Sequence, residues 1–223
     1  QVRGNIAHSV LEDFYDLDIN NFTDQDFETK IRQAMQQLFL FQWNKYLPRL
    51  KNLRLSPDKE QFYFEETMMM LLNWTNQFLE EIKRRMQLEN IAFQQAFSEI
   101  TPIREQEFRS EELSVRGFID AIRHVNEEIH IIDYKTNSNF EFKESIKLQL
   151  AIYSLLYYEL HNKMPDKVGI FFLRHKLKMI NVDSELLELA RKEIEIIHGH
   201  TTQFQKIEYY PKTINGLCKW KTG

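Results

Sequence analysis

Residues 128–136 read Glu-Ile-His-Ile-Ile-Asp-Tyr-Lys-Thr, an isoleucine-rich run that ends in an aspartate, a tyrosine, a lysine and a threonine. Isoleucine is enriched in strands, so this run predicts a buried β-strand. Side chains alternate between the two faces of a strand, which puts Asp133 and Lys135 on one face and Tyr134 on the other. The carbonyl oxygen of Tyr134 can still face the same space as Asp133. A carboxylate at the end of a buried strand is costly unless it is paired or bound to a cation.

A second apolar strand also ends in a carboxylate. Residues 116–120 read Arg-Gly-Phe-Ile-Asp, and a hairpin-like pairing with the first run would bring Asp120 beside Asp133. Two such carboxylates repel unless one takes up a proton or a cation lies between them. Magnesium or manganese suits these oxygen ligands, and Lys135 beside the ion could orient or deprotonate an attacking water. The combination favours metal-dependent phosphodiester hydrolysis, although an Asp-x-Lys tripeptide on its own is better explained as a salt bridge.

Four short motifs resemble, in their order along the chain, the RecB-like exonuclease branch of the PD-(D/E)XK nuclease superfamily. They are Gly4-Asn-Ile-Ala-His8, Gly117-Phe-Ile-Asp120, Asp133-Tyr-Lys-Thr136 and Gln149-Leu-Ala-Ile-Tyr153. The RecB-type exonucleases associated with CRISPR systems share these motifs. Many of those relatives also carry a four-cysteine iron–sulfur cluster. Here the region 211–220 is similar to their cysteine-rich end but holds a single cysteine, Cys218, so a cluster is not supported.

The resemblance implies a role for each matching residue. The implied catalytic residues are Asp120, Asp133, Lys135, Gln149 and Tyr153. The implied metal ligands are His8, Asp120, Asp133 and, through its carbonyl, Tyr134, with Glu107 as the preferred additional acid and Glu105 as the alternative. The implied nucleic-acid contacts are Gln149 and Tyr153, which share one helix face, together with the basic residues Lys147 and Arg174.

The rest of the pattern predicts an α/β fold. Helical spacing of apolar residues runs through 6–94, where Phe27, Ile31, Met35 and Phe39 form one stripe. Three strands are expected at 103–108, 113–123 and 128–134, then a helix at 143–162, a strand at 168–173 and a helix at 184–203. We therefore expect a restriction-endonuclease-like core with a mixed central sheet flanked by helices, over residues 99–223. A helical subdomain carrying the Gly4–His8 motif is expected to precede it, over residues 1–98.

Composition limits the setting of the chain. In 223 residues with one cysteine, no disulfide framework or cysteine-rich metal site can form within the chain, which fits a reducing, cytoplasmic environment in a prokaryote or phage. No stretch approaches the roughly 18 apolar residues of a membrane span, so no membrane partner is expected. The net charge of −4 argues against indiscriminate nucleic-acid binding but leaves a local basic channel open. The N-terminus has no initiator Met or signal region, which suggests a piece of a longer protein.

The resemblance implies a metal-dependent DNA nuclease with Mg²⁺ or Mn²⁺ as cofactor and DNA as partner. An exonuclease acting on single-stranded DNA or DNA ends, in repair or recombination, is the expected form. No phosphate-binding loop of the G-x-x-x-x-G-K-[ST] type is present, so unwinding would need a helicase or recombination partner or another part of a longer chain. Two alternatives remain: an RNA-directed endonuclease with the same fold, and a non-catalytic nucleic-acid-binding scaffold.

Overall fold

The computed structural model describes residues 2–137 and 140–203, in which a helical first half precedes a sheet with two further helices. The helices are α1 Val2–Phe14, α2 Phe27–Asn52, α3 Pro57–Glu89, α4 Phe93–Ile100, α5 Glu144–His161 and α6 Ser184–Gln203. The strands are β1 Ile103–Ser110, β2 Val115–Val125, β3 Glu128–Lys135, β4 Lys167–Phe172 and β5 Leu177–Asn181. Cys218 and the region 211–220 lie outside the described residues.

The five strands form one mixed sheet in the order β1-β2-β3-β4-β5. Neighbouring strands are antiparallel except β3 and β4, which are parallel because α5 carries the chain back between them. The predicted α/β fold with a mixed sheet flanked by helices is therefore confirmed. The sequence pattern does not predict the strand Leu177–Asn181, because this strand is short and partly exposed. Its five residues, which include Lys178, show no clear alternation of apolar and polar side chains.

Two hydrophobic cores lie on opposite faces of this sheet. Helices α1–α4 form one core and share it with sheet residues, among them Ala121, Ile132 and Phe171. Helices α5 and α6 cover the other face, where sheet residues such as Ile119 and Ile131 are fully buried. The predicted stripe of α2 is buried in the first core, as helical periodicity requires. The division of the chain after residue 98 stays a prediction.

The sheet and α1 together create the setting of the site. The C-terminal end of β3 carries the predicted Asp133 and Lys135, and α1 approaches it so closely that Gly4 lies against Thr136. A β-carbon on Gly4 would be 3.6 Å from the hydroxyl oxygen of Thr136. None of the described helices is long and apolar enough to cross a membrane.

Candidate active site

The predicted carboxylates lie where two strands of the sheet separate. The pairing of β2 with β3 runs as far as Ala121 and Ile132, and the next residue of each strand is Asp120 or Asp133. The backbone N–H of Tyr134 donates a hydrogen bond of 2.7 Å to Oδ2 of Asp120. A carboxylate side chain thus takes the place of a backbone partner at the end of the strand pairing. Both carboxylates therefore lie at the same end of the β2–β3 pairing, as the sequence predicted from a hairpin-like arrangement.

His8 on α1 faces this pair of strands with both ring nitrogens. Its Nδ1 lies 3.3 Å from Oδ1 of Asp120, and its Nε2 lies 2.9 Å from the carbonyl oxygen of Tyr134. Burial lowers the pKa of His8, but hydrogen bonding to Asp120 and the charges of Asp120 and Asp133 outweigh it and raise the pKa above 6.5. The side chain of Tyr134 points away into the core shared with α1–α4. The imidazole is therefore surrounded by oxygen atoms that favour a positive charge.

Asp133 is 2% exposed and is contacted from two sides. The side-chain amide of Gln149 donates a hydrogen bond of 2.9 Å to its Oδ1. Nζ of Lys135 lies 2.9 Å from its Oδ2 and forms an ion pair with it. Burial and the neighbouring Asp120 raise the pKa of Asp133 to about 6, against the opposing effect of Lys135. Apart from that ion pair, the buried Oδ2 has no hydrogen-bond partner among the residues that the structure describes.

Gln149 and Tyr153 lie one turn apart on α5 and meet at the site. The amide of Gln149 also donates a hydrogen bond of 2.9 Å to the hydroxyl oxygen of Tyr153. The ring of Tyr153 packs against β2 at Gly117, where an added β-carbon would be 3.2 Å from it. Burial and the charge of Asp133 raise the pKa of Tyr153 to about 12, so the phenol is neutral. Glycine at 117 is thus explained by the close approach of α5, and it joins two of the predicted motifs.

The additional acid beside the predicted ligands is Glu105 and not the preferred Glu107. One ligand atom each from His8, Glu105 and Asp120 lies within 4.8 Å of the others. Glu107 is exposed and is 3.9 Å from the guanidinium of Arg116. The register places Glu105 opposite Asp120, because Arg104 pairs with Ala121 and Gln106 with Ile119. Sequence alone could not choose between the two acids, because the choice depends on this register.

The residues gathered here fit a divalent cation. An imidazole nitrogen, carboxylate oxygens and a backbone carbonyl are ligands that Mg²⁺ or Mn²⁺ accepts. Burial first, and then the charge of Asp120, raise the pKa of both Asp133 and Glu105, although Lys135 and His8 oppose the rise at Asp133 and His8 opposes it at Glu105. Oδ2 of Asp133, which is ion-paired with Lys135 but accepts no hydrogen bond among the described residues, is a further oxygen that a cation could bind.

The two predicted basic contacts are not brought into the same cluster. Lys147 is exposed on α5, but at 100° per residue it lies about 200° around the helix from Gln149. Arg174 is held by the carboxylate of Glu66 on α3 and lies with Nε 3.3 Å from the carbonyl oxygen of Thr136. Arg174 is therefore engaged in contacts that fix the chain just after Lys135.

Comparison with known proteins identifies the superfamily of the chain. The model of the PD-(D/E)XK nuclease superfamily matches residues 1–220. No curated protein shows a significant match to the sequence. A solved structure of a presumed exonuclease from Eubacterium rectale aligns with a TM-score of 0.41 and 10% sequence identity. The alignment covers 80% of this chain and 64% of the chain of that protein. That likeness is too distant to indicate an activity. Because the family match covers nearly the whole length, the chain belongs to the PD-(D/E)XK nuclease superfamily.

Proposed function

We propose that this protein is a metal-dependent deoxyribonuclease that removes nucleotides from single-stranded DNA or from DNA ends. The observation that carries the proposal is the meeting of Asp120, Asp133 and Lys135 at the point where β2 and β3 separate. A surface salt bridge would not need a nearly fully buried carboxylate with one oxygen lacking a hydrogen bond. Nucleases of this superfamily use divalent metals, and the donor set described above suits one.

The proposed metal ligands are His8, Asp120, Asp133 and the carbonyl oxygen of Tyr134, with Glu105 as a further acid. A divalent ion bound there supplies a water of lowered pKa and stabilises negative charge on the phosphoryl oxygens. The proposed role of Gln149 is to hold Asp133 in one orientation through the hydrogen bond to Oδ1. The hydroxyl oxygen of Tyr153 accepts a second hydrogen bond from the same amide and so helps to fix its orientation.

Lys135 is the proposed residue that orients the attacking water. Its ammonium group lies beside Asp133 and is part-exposed, so it can reach both the carboxylate and a bound substrate. A lysine in this position favours negative charge on the water and on the phosphate, and removing it would leave metal binding in place. The expected consequence is a loss of rate that exceeds the loss of DNA affinity.

The preference for DNA, for single strands and for ends rests on the motifs that resemble RecB-like exonucleases. The same reasoning proposes Mg²⁺ or Mn²⁺ as the metal, and a cytoplasmic role in repair or recombination beside a helicase or a longer parent chain. Gln149 and Tyr153 are the proposed contacts to the nucleic acid at the site, whereas Lys147 faces away from Gln149 and Arg174 is bound to Glu66.

The experiment that tests the proposal is digestion of end-labelled linear single-stranded DNA, linear duplex, closed circular DNA and single-stranded RNA. Each substrate is incubated with Mg²⁺, Mn²⁺ or EDTA, using the parent protein, Asp133→Ala and Lys135→Ala. Lys192→Ala is the matched control, because Lys192 is exposed on α6, away from the site. We expect metal-dependent loss of linear DNA by the parent and the control, and a loss of activity by orders of magnitude in the two site variants.

The outcomes separate the alternatives. Digestion of linear DNA that spares circles establishes an exonuclease, and the position of the label gives its polarity. Cleavage of closed circles would identify an endonuclease, and preferential cleavage of RNA would identify RNA as the substrate. DNA binding without cleavage under any of these conditions would favour a scaffold, and full activity in Lys135→Ala would contradict the proposed site.

A further inference from the structure

The outer face of the β1–β2 hairpin continues directly from the carboxylates of the site. Gly117 and Ile119 of β2 face α5, since Gly117 lies against Tyr153 and Ile119 is buried in the α5–α6 core. Side chains alternate along a strand, so Arg116 and Phe118 point to the opposite face. Asp120 also lies on that opposite face, where it meets His8 of α1. Arg116 and Phe118 share this face, and Asp120 continues their row at the point where strict alternation breaks, because Ile119 and Ala121 lie in opposite cores.

This row is open and has a matching partner on β1. Phe118 is 50% exposed although it lies only two residues from Asp120. Arg109 of β1 pairs with Arg116 of β2, which places the two side chains on the same face, with 64% and 71% of them exposed. Phe118 is thus an exposed aromatic ring that lies on the same strand face as these two arginines.

A groove of about 410 Å³ lies at the turn of the hairpin, and its lining includes the two arginines. Ser110 and Ser114 add hydroxyl groups to the same lining. Arginine and serine side chains are the donors that proteins use most often for phosphate oxygens. The groove therefore offers donors suited to phosphate oxygens beside one carboxylate, Glu111.

Two acidic residues accompany the arginines but do not block them. Glu111 lies 2.7 Å from Arg109, and Glu107 lies 3.9 Å from Arg116. Both pairs are largely exposed, and exposed ion pairs contribute little to stability because water screens them. A phosphodiester strand can exchange with these carboxylates at small cost. Glu107, which the sequence placed near the metal, belongs by its position to this surface.

We propose that the row Asp120–Phe118–Arg116 is the path of a single-stranded polynucleotide that enters the active site. A base stacks on Phe118, and Arg116 and Arg109 bind a phosphate farther along the strand. At about 3.4 Å per residue along the strand, Phe118 lies ~7 Å and Arg116 ~14 Å from Asp120. A path of that length accommodates about two to three nucleotides. A base inside a duplex cannot expose its face to Phe118, which makes the path selective for single strands. The assignment of this path as a substrate path rests on the proposed nuclease function.

Binding measurements test the path independently of hydrolysis. Fluorescence anisotropy with a labelled oligothymidylate of about 12 nucleotides is measured in a Lys135→Ala background, which keeps the strand intact. Phe118→Ala and Arg116→Ala are compared with two matched controls, Phe62→Ala on α3 and Arg49→Ala on α2, which remove exposed residues far from the hairpin.

Each variant has its own expected signature. Phe118→Ala should weaken binding of oligothymidylate about five- to hundredfold, and Phe118→Trp should restore it. The same change should leave binding of an abasic strand of equal length unaltered, because no base is present to stack. Arg116→Ala should weaken binding of both strands and reduce the slope of log affinity against log salt by about 0.7. The two controls should match the background protein.

Two results would overturn the path. One is binding by Phe118→Ala and Arg116→Ala that equals the background protein on oligothymidylate. The other is an equal loss by Phe118→Ala on the abasic strand, which would show a disturbed hairpin rather than lost stacking. Failure of the nuclease proposal is recognised separately, because a parent protein that digests no substrate can still show the expected binding pattern.

Discussion

At the scale of single residues, the site is dominated by a carboxylate that the fold keeps almost completely out of water. Asp133 accepts one hydrogen bond from Gln149 and faces Lys135 without a hydrogen bond from it. Burial and the charge of Asp120 raise its pKa to about 6, so at neutral pH the metal-free protein contains an ionised carboxylate in an environment that disfavours ionisation. Functional sites commonly contain such groups, because a bound ion relieves them.

The first prediction concerns the stability of Asp133→Asn. The folded pKa, about 6, lies above the ordinary value of 3.8, so the stability that Asp133 contributes is present below pH 3.8 and is lost as the pH rises to about 6. In EDTA at pH 8, Asp133→Asn should therefore be more stable than the parent by on the order of 2 kcal/mol. Near pH 4 this advantage should shrink.

Denaturant unfolding at pH 4 and pH 8 measures this difference, with Glu195→Gln on the exposed face of α6 as the control. Added Mn²⁺ should reverse the order at pH 8 by stabilising the parent alone. A parent that stays more stable than Asp133→Asn in EDTA at pH 8 would show that the carboxylate is compensated without a metal.

The second prediction separates the two candidate acids of β1. Glu105→Gln should weaken Mn²⁺ binding about tenfold or more, because Glu105 shares a ligand cluster with His8 and Asp120. Glu107→Gln removes the same charge two residues away and should leave the Mn²⁺ affinity unchanged. Isothermal titration with Mn²⁺ compares the two, and equal affinities in both variants would remove Glu105 from the ligand set.

At the scale of elements, β4 and β5 come together so closely that one position admits only glycine. Gly169 of β4 pairs with Met179 of β5. A β-carbon there would lie 2.3 Å from the carbonyl oxygen of Lys178 and 2.4 Å from the sulfur of Met179. The carbonyl belongs to the strand backbone and cannot move aside without breaking the ladder.

The third prediction follows from this contact. Gly169→Ala should destabilise the protein by about 2–4 kcal/mol, because either the β4–β5 pairing or the packing of Met179 must shift. Gly199→Ala on α6 is the matched control, because nothing lies within 4 Å of its β-carbon, and it should stabilise the helix slightly. Urea unfolding compares the two. A Gly169→Ala protein as stable as the parent would show that β5 is free to move away.

At the scale of the whole molecule, the sheet lies between two hydrophobic cores and contributes side chains to both. The core of α1–α4 includes Ala121, Ile132, Tyr134 and Phe171 from the sheet, together with Leu173 just after β4. Tyr134 belongs to this core through its side chain and to the site through its backbone. The helical first half therefore holds the strand that carries Asp133 and Lys135.

The fourth prediction is that the two parts of the chain unfold together. A fragment of residues 99–223 would expose the apolar sheet face that α1–α4 cover, so it should be unfolded or aggregated on its own. In a full-length Trp220→Phe background, tryptophan fluorescence reports on Trp43 and Trp74 in the helical layer and should give the same urea midpoint as circular dichroism. Two separate midpoints, or a stable 99–223 fragment, would instead establish an independent helical subdomain.

Much of the secondary structure was predictable because it depends on local spacing. The helix at 184–203 and the strand at 128–135 match their apolar patterns to within a residue. The helix Phe93–Ile100 and the strand Leu177–Asn181 were not distinguished, because short elements offer too few residues to show a period. Their form is decided by what they pack against.

The sequence by itself determined which side chains share a face: Asp133 with Lys135 on a strand, and Gln149 with Tyr153 on a helix. Backbone geometry alone sets these periods. Only the tertiary structure decided that Glu105 rather than Glu107 joins His8, that Arg174 is held by Glu66, and that Phe118 stays exposed beside the site. Those outcomes depend on strand register and on contacts between residues far apart in the chain, which are fixed by packing of the whole molecule and not by local spacing.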